Sequence, residues 1–239
     1  MKIAACQPAY VHDDLEHALS IVLRLAASAE AEGARVICFP ECFLQGYAFD
    51  QENLEGRALN LHSQGFERVL KASVHLQITV VVGLIESDSG RLYNTAVVIR
   101  DGLLLGQYRK MNLMPGETQF ESGDEIPVFE VSGLRFGISI CSDLNDSEGA
   151  QAVADQEATL LLCPCNNMMR IDVARQWRDK HNEVRASRAI ETGMFIVSSD
   201  VVGEWRNRVS FGSAAAINPS GVVTERIGDM NDEILYSWV

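Results

Sequence analysis

The apolar residues of this chain fall into short, nearly unbroken runs rather than strict alternation. KIAACQ, RVICF, ITVVVGLI, LYNTAVVI, LLLGQY, LRFGISI, ATLLLC and MFIVSS recur along most of its length. A strand that is apolar on both faces needs cover on both, so these runs exclude a sheet with one side in water. Helices can cover one face and a second sheet the other.

The segments between the runs supply the helices. Leu15, Ala18, Leu19, Val22, Leu23, Ala26 and Ala29 repeat at helical spacing between Asp13 and Glu32. Asp13 or Asp14 can cap the start and Gly33 can stop the end. A second helix is expected over His62 to Leu76, a short one over Ser147 to Asp155, and one long helix over Asp172 to Glu191. Asp101-Gly102 between two apolar runs is a hairpin signal. Pro219-Ser220-Gly221, between SAAAIN and VVTERI, the last expected elements, marks another. Early strand–helix–strand alternation followed by hairpins predicts one layered α/β domain with mixed sheets over residues 1–239.

The formal net charge of −13 argues against nucleic acid or an anionic membrane as partner. No apolar run approaches the length of a membrane span. Only a four-residue apolar stretch precedes Gln7, too short for a signal-peptide core, so a cytoplasmic protein is expected. Six cysteines are too sparse for a disulfide framework, and reduced packing thiols are expected for most. Cys163-Pro164-Cys165 lacks the matching second pair and histidines of a zinc site, so no metal is expected.

Three of the runs end on a chemically useful side chain. Glu41 follows RVICFP, Lys110 follows LLLGQYR, and Cys141 follows LRFGISI. A carboxylate, an ammonium and a thiol can serve as base, charge stabiliser and nucleophile in amide hydrolysis. Taken singly, each also reads as a turn carboxylate, a solvated charge or a core thiol.

Their local contexts, FPECFLQGYAFD, the stretch from YNTAVVIRDG to FESG, GLRFGISICSDLNDSE and RASRAIETGMFIVSS, occur in order along nearly the whole chain. Together they resemble the nitrilase, or carbon–nitrogen hydrolase, superfamily. The resemblance implies a four-layer α-β-β-α sandwich with two mixed sheets, no metal or organic cofactor, and a homodimer or higher homo-oligomer. It casts Glu41 as general base, Lys110 as catalytic lysine, Cys141 as nucleophile and Glu117 as the second glutamate, with Glu121 a competing choice. Ser142 stands where many members carry a bulky aromatic, Asn112 where a histidine is common, and Ser147 where proline is usual.

Tyr47, Ser142, Asn166 and Asn167 are the candidate substrate-binding residues, the last two in the loop CPCNNMMR with Met168 and Met169 beside them. The expected activity is cleavage of a small carboxamide through a cysteine thioester, with ammonia released. The alternatives are hydrolysis of an N-carbamoyl amino acid or ureido acid, with Arg170 and Arg175 as a clamp for its carboxylate, and a catalytically silent binding protein of the same fold. A Cys-His enzyme would need His181, which reads instead as part of a solvated helix face.

Overall fold

The computed structural model describes residues 1–47, 54–178 and 180–239. The chain begins with β1 (Lys2–Gln7), α1 (Leu15–Ala31), β2 (Val36–Cys38), α2 (Gln64–Ala72) and β3 (Thr79–Asp88). Next come β4 (Arg91–Arg100), β5 (Leu103–Arg109), β6 (Phe129–Val131) and β7 (Leu134–Ile138). A 3-10 turn over Cys141–Asn145 leads to α3 (Ser147–Ala154), β8 (Leu160–Pro164), β9 (Met169–Arg170), α4 (Ile171–Trp177) and α5 (Lys180–Thr192). The remaining strands are β10 (Phe195–Ser199), β11 (Gly203–Trp205), β12 (Arg208–Ser210), β13 (Ala215–Ile217), β14 (Val223–Arg226) and β15 (Glu233–Trp238).

One six-stranded sheet runs β15-β1-β2-β3-β4-β5, the other β14-β13-β10-β8-β7-β6. Each has parallel strands at its centre, β1-β2-β3 and β7-β8-β10, with antiparallel strands outside them. The alternation of side chains along each strand builds the layers. Ile3, Ala5, Val36, Cys38 and Val98 meet Phe136, Ile138, Leu160, Leu162 and Val197 between the sheets. The opposite faces of β1 to β3 bury Ala4, Cys6, Ile37, Val80 and Val82 against Leu19, Val22, Leu25 and Ala26 of α1 and Phe66 and Val69 of α2. On the other side, Leu161, Cys163, Ile196 and Ile217 lie beneath Ala150 and Val153 of α3 and Ala189 of α5. The α-β-β-α order follows from these three apolar interfaces.

The helix signals act where the spacing places them. Asp14 accepts from the His17 backbone N–H at 2.9 Å and caps α1, and Gly33 beyond its end has φ +82°. Asp101 and Gly102 both have positive φ, 52° and 71°, as the tight β4–β5 turn requires.

Two expectations are corrected. The long helix over Asp172 to Glu191 is two helices, because α4 packs on β9 and β12 while α5 packs on α3, β10 and β13. No proline or glycine marks the break. The chain also does not end on the β13–β14 hairpin, since β15 returns to pair antiparallel with β1, Lys2 opposite Trp238. That strand is an edge, half-exposed and mixed in character, so it lacks the continuous apolar signal of the central strands.

Candidate active site

Glu41, Lys110 and Cys141 leave the carboxyl ends of β2, β5 and β7, and the sandwich brings these ends to one cavity of about 510 Å³. Glu41 sits in a sharp turn. The next residue, Cys42, has φ +49°, and a Cβ on Gly83 of β3 would lie 2.4 Å from Cys42 N and 2.7 Å from Glu41 Cα. Only glycine lets β3 approach the turn so closely. Cys141 has φ +48° at the start of the 3-10 turn, a backbone state that non-glycine residues adopt rarely and mostly at constrained sites.

Lys110 is 1 % exposed and donates to Glu41 Oε1 at 2.7 Å and Glu117 Oε1 at 3.0 Å. Asn94 on β4 bridges the same two oxygens, with Nδ2 at 2.7 Å from Glu41 and 3.1 Å from Glu117. Glu41 Oε2 accepts from the Asn166 backbone N–H at 3.1 Å, and Glu117 Oε2 from the Met114 N–H at 2.6 Å. Two buried carboxylates thus share one ammonium and one amide.

The protonation states follow from this packing. Burial pushes the Glu41 carboxyl up to about 7, against the pull of Lys110 and with the repulsion of Glu117 adding to the rise. Burial opposes the Lys110 charge, yet Glu41, Cys141 and Glu117 outweigh it and hold the ammonium well above its ordinary value. A hydrogen bond to Cys165, then burial and the nearby Glu41, raise the Cys141 thiol well above its ordinary value. The resting arrangement is a neutral thiol near a carboxylate that titrates around neutrality and an ammonium that stays charged.

The other expected site residues also line the cavity, in unequal ways. Burial, then the charges of Glu41 and Glu117 and a hydrogen bond to Glu117, raise the Tyr47 phenol. The Ser142 hydroxyl donates to the Asn112 carbonyl at 2.6 Å, so its proton is committed to the protein. Asn166 has a buried Oδ1 with no partner among the described residues. Asn167 spends both amide N–H bonds internally, on Asp200 Oδ2 at 2.7 Å and Ser213 at 3.1 Å. Glu121 is exposed, whereas Glu117 is in the cluster.

Met114, Met168, Met169, Val173 and Trp177 form an apolar wall, with Arg170, Arg208 and His181 also in the lining. Arg175 is exposed and is not part of that lining. The solvated-face reading of His181 is corrected: the start of α5 turns it into the cavity, where it packs on Trp177 with ring centroids 5.6 Å apart. Burial, then the Arg185 charge, lower its imidazole to about 4, so it is neutral at pH 7.

Two supporting residues were invisible in the sequence. One is Asn94. The other is Asp143, whose carboxylate accepts from Asn112 N at 2.7 Å, Ile140 N at 2.8 Å, Tyr108 Oη at 2.9 Å and Met111 N at 3.1 Å. It ties the segment after Lys110 to the turn that carries Cys141. Their signal lay only in being polar residues beside apolar runs, which does not reveal the partners. Among the described residues, no group of three or more His, Cys, Asp or Glu could hold a metal ion.

The pattern of the family described as Carbon-nitrogen hydrolase matches residues 2–239. The chain belongs to the carbon–nitrogen hydrolase family. A relative in that family, the (R)-stereoselective amidase of a Pseudomonas species, is 29% identical over 238 residues, covering 99% of this chain and 83% of the relative. The omega-amidase NIT2 of Homo sapiens is 28% identical, with 87% of this chain and 78% of the relative covered. The NitN amidase of Nesterenkonia sp. AN1 shares the fold with a TM-score of 0.86 at 22% identity, over 100% of this chain and 92% of that one. A variant of the Nesterenkonia amidase has been solved with acrylamide added to its active-site cysteine. These likenesses agree with the family and with the fold.

Proposed function

We propose that this carbon–nitrogen hydrolase cleaves a small carboxamide through a Cys141 thioester and releases ammonia, with residues 1–239 acting as one catalytic domain. The observation that carries the reading is the Lys110 ammonium held by Glu41 and Glu117 at 2.7 and 3.0 Å in the cavity that also holds Cys141. The amidase names of its relatives agree with it.

An amide carbonyl is a weak electrophile, so the thiol must be activated. Glu41, buried and raised to about 7, is matched to taking the Cys141 proton near neutral pH. As the sulfur attacks, negative charge grows on the carbonyl oxygen. Lys110 has one N–H beyond the two given to the glutamates, and the Ser142 backbone N–H lies in the first turn of a 3-10 helix, where N–H groups lack intrahelical partners. These two donors stabilise the oxyanion. Glu41 returns its proton to the leaving amine, ammonia departs, and water activated by Glu41 hydrolyses the thioester. The unpartnered Asn166 Oδ1 accepts from the substrate amide. Glu117 fixes Lys110 and accepts from Met114, a positioning role. The apolar wall suits an acyl group of some length. A homodimer, implied by the family resemblance, belongs to the same reading and is checked by light scattering.

The test is thioester trapping by intact-mass measurement with a panel of simple amides, ω-amides and N-carbamoyl amino acids. Wild type is expected to acquire an acyl adduct with some of them and release ammonia, and Cys141→Ala to do neither. A wild type that neither acylates nor turns over any of them would favour the silent binding reading.

A further inference from the structure

The amide reaction makes no use of the two thiols behind Cys141. Cys165, 2 % exposed, is hydrogen-bonded to Cys141, and both pack in the apolar cluster under α3 and α5. They follow the ends of two neighbouring strands. Ile138 of β7 is opposite Leu162 of parallel β8, and Cys141 and Cys165 each lie three residues further along. The hydrogen bond between the two thiols puts their sulfurs within reach of one another, as a disulfide requires.

Packing alone does not account for the surroundings of Cys165. The buried Arg185 guanidinium directs Nη2 at its sulfur from 3.2 Å, and Sγ of Cys163, on β8 two residues earlier, lies 3.4 Å away. The hydrogen bond with Cys141 lowers the Cys165 thiol, but Cys163 and burial outweigh that bond and the Arg185 cation, so Cys165 rests as a neutral thiol and gives up its proton as it attacks an oxidised partner. Cys141 faces the cavity and is half-buried, so a small oxidant reaches it first.

We propose that Cys165 is the resolving thiol of Cys141, making the pair a reversible oxidation site in which a peroxide inactivates the enzyme without destroying it. In the first step the Cys141 sulfur attacks hydrogen peroxide. An S–O bond forms, the O–O bond breaks, and the departing hydroxide takes the thiol proton as water, leaving the sulfur oxidised by two electrons as a sulfenic acid. In the second step Cys165 sulfur attacks Cys141 sulfur. The S–S bond forms, the S–O bond breaks, and hydroxide leaves with the Cys165 proton as a second water. An external dithiol reverses the pair to two thiols. Without a resolving thiol, further peroxide carries a sulfenic acid to sulfinic acid, which dithiols do not reduce.

The proposal rests on Cys141 being the reactive thiol of the site, but its readout is a bond mapped by mass and does not need amide turnover. Reduced protein is exposed to hydrogen peroxide, digested without reductant and mapped. The expected product is a peptide pair joined through Cys141 and Cys165, with amide hydrolysis lost and then restored by dithiothreitol. In Cys165→Ala and Cys165→Ser, each normalised to its own untreated rate, the loss is expected to persist after dithiothreitol, with sulfinic acid at Cys141. A bridge between Cys163 and Cys165 with Cys141 free would overturn the proposal, as would equal dithiothreitol recovery in wild type and folded variants. Because the wild-type map needs no variant, poor folding of either substitution leaves the test intact.

Discussion

Asn94→Leu separates the amide that bridges the two glutamates from the rest of the site. The side chain is fully buried, and its Nδ2 donates to Glu41 Oε1 at 2.7 Å and Glu117 Oε1 at 3.1 Å. Leucine keeps the approximate volume and removes both donors. It also removes Oδ1, a buried acceptor with no partner among the described residues, which limits the folding cost. Hydrogen bonds to charged groups contribute about 1.5–3 kcal/mol each, and only one acts directly on Glu41. Its ionised form is therefore weakened by that amount, equivalent to about 1–2 pH units at 1.36 kcal/mol per unit. The sign follows from the role of Glu41. In the proposed mechanism it must be ionised to take the thiol proton, so kcat/KM is expected to be full above its pKa and to fall as the pH drops through it. Glu41 stands at about 7 in the wild type. In the variant the acidic limb is expected near pH ~8–9, with activity recovering on its alkaline side. The assay is ammonia release from one amide substrate across the pH range, with circular dichroism to confirm folding. An acidic limb unmoved from wild type, with only the plateau reduced, would show that Asn94 does not set the ionisation of Glu41.

Four other substitutions test separate parts of the reading. Lys110→Met leaves Glu41 and Glu117 buried without their cation, so urea denaturation should show a loss of about 3–5 kcal/mol together with loss of turnover. Gly83→Ala would press a methyl group against the Glu41 turn, and a displacement approaching 1 Å should lower kcat by roughly 10²-fold while KM changes little. Steady-state kinetics separates the two, and an unchanged kcat in a folded variant would show that the turn yields freely. Arg175→Ala, exposed and away from the cavity lining, should leave KM unchanged for carboxylate-bearing amides and carbamoyl acids, whereas Arg170→Ala should raise it.

The sequence determined the layers and the candidate reacting groups, because both are written in local pattern. Apolar runs without alternation demand cover on both faces, and the Asp101-Gly102 turn and the Asp14 cap act through neighbours close in the chain. Glu41, Lys110 and Cys141 were legible because each follows such a run, and Glu117 because the stretch around it resembles a family motif. Tertiary structure alone decided what surrounds them. Asn94 reads as a polar interruption of β4 until the fold sets its amide between two glutamates, one 53 residues and the other 23 residues away. His181 looks solvated until α4 and α5 separate and turn it inward, and β15 has no apolar run to announce it before β1 offers an edge. Cys165 passed as a packing thiol because its meaning depends on which strand ends meet in the fold. The physical reason is common to all four. Hydrophobic periodicity is local and can be read along the chain, whereas hydrogen bonds, desolvation and thiol contacts depend on side chains that only the packed sheets bring together.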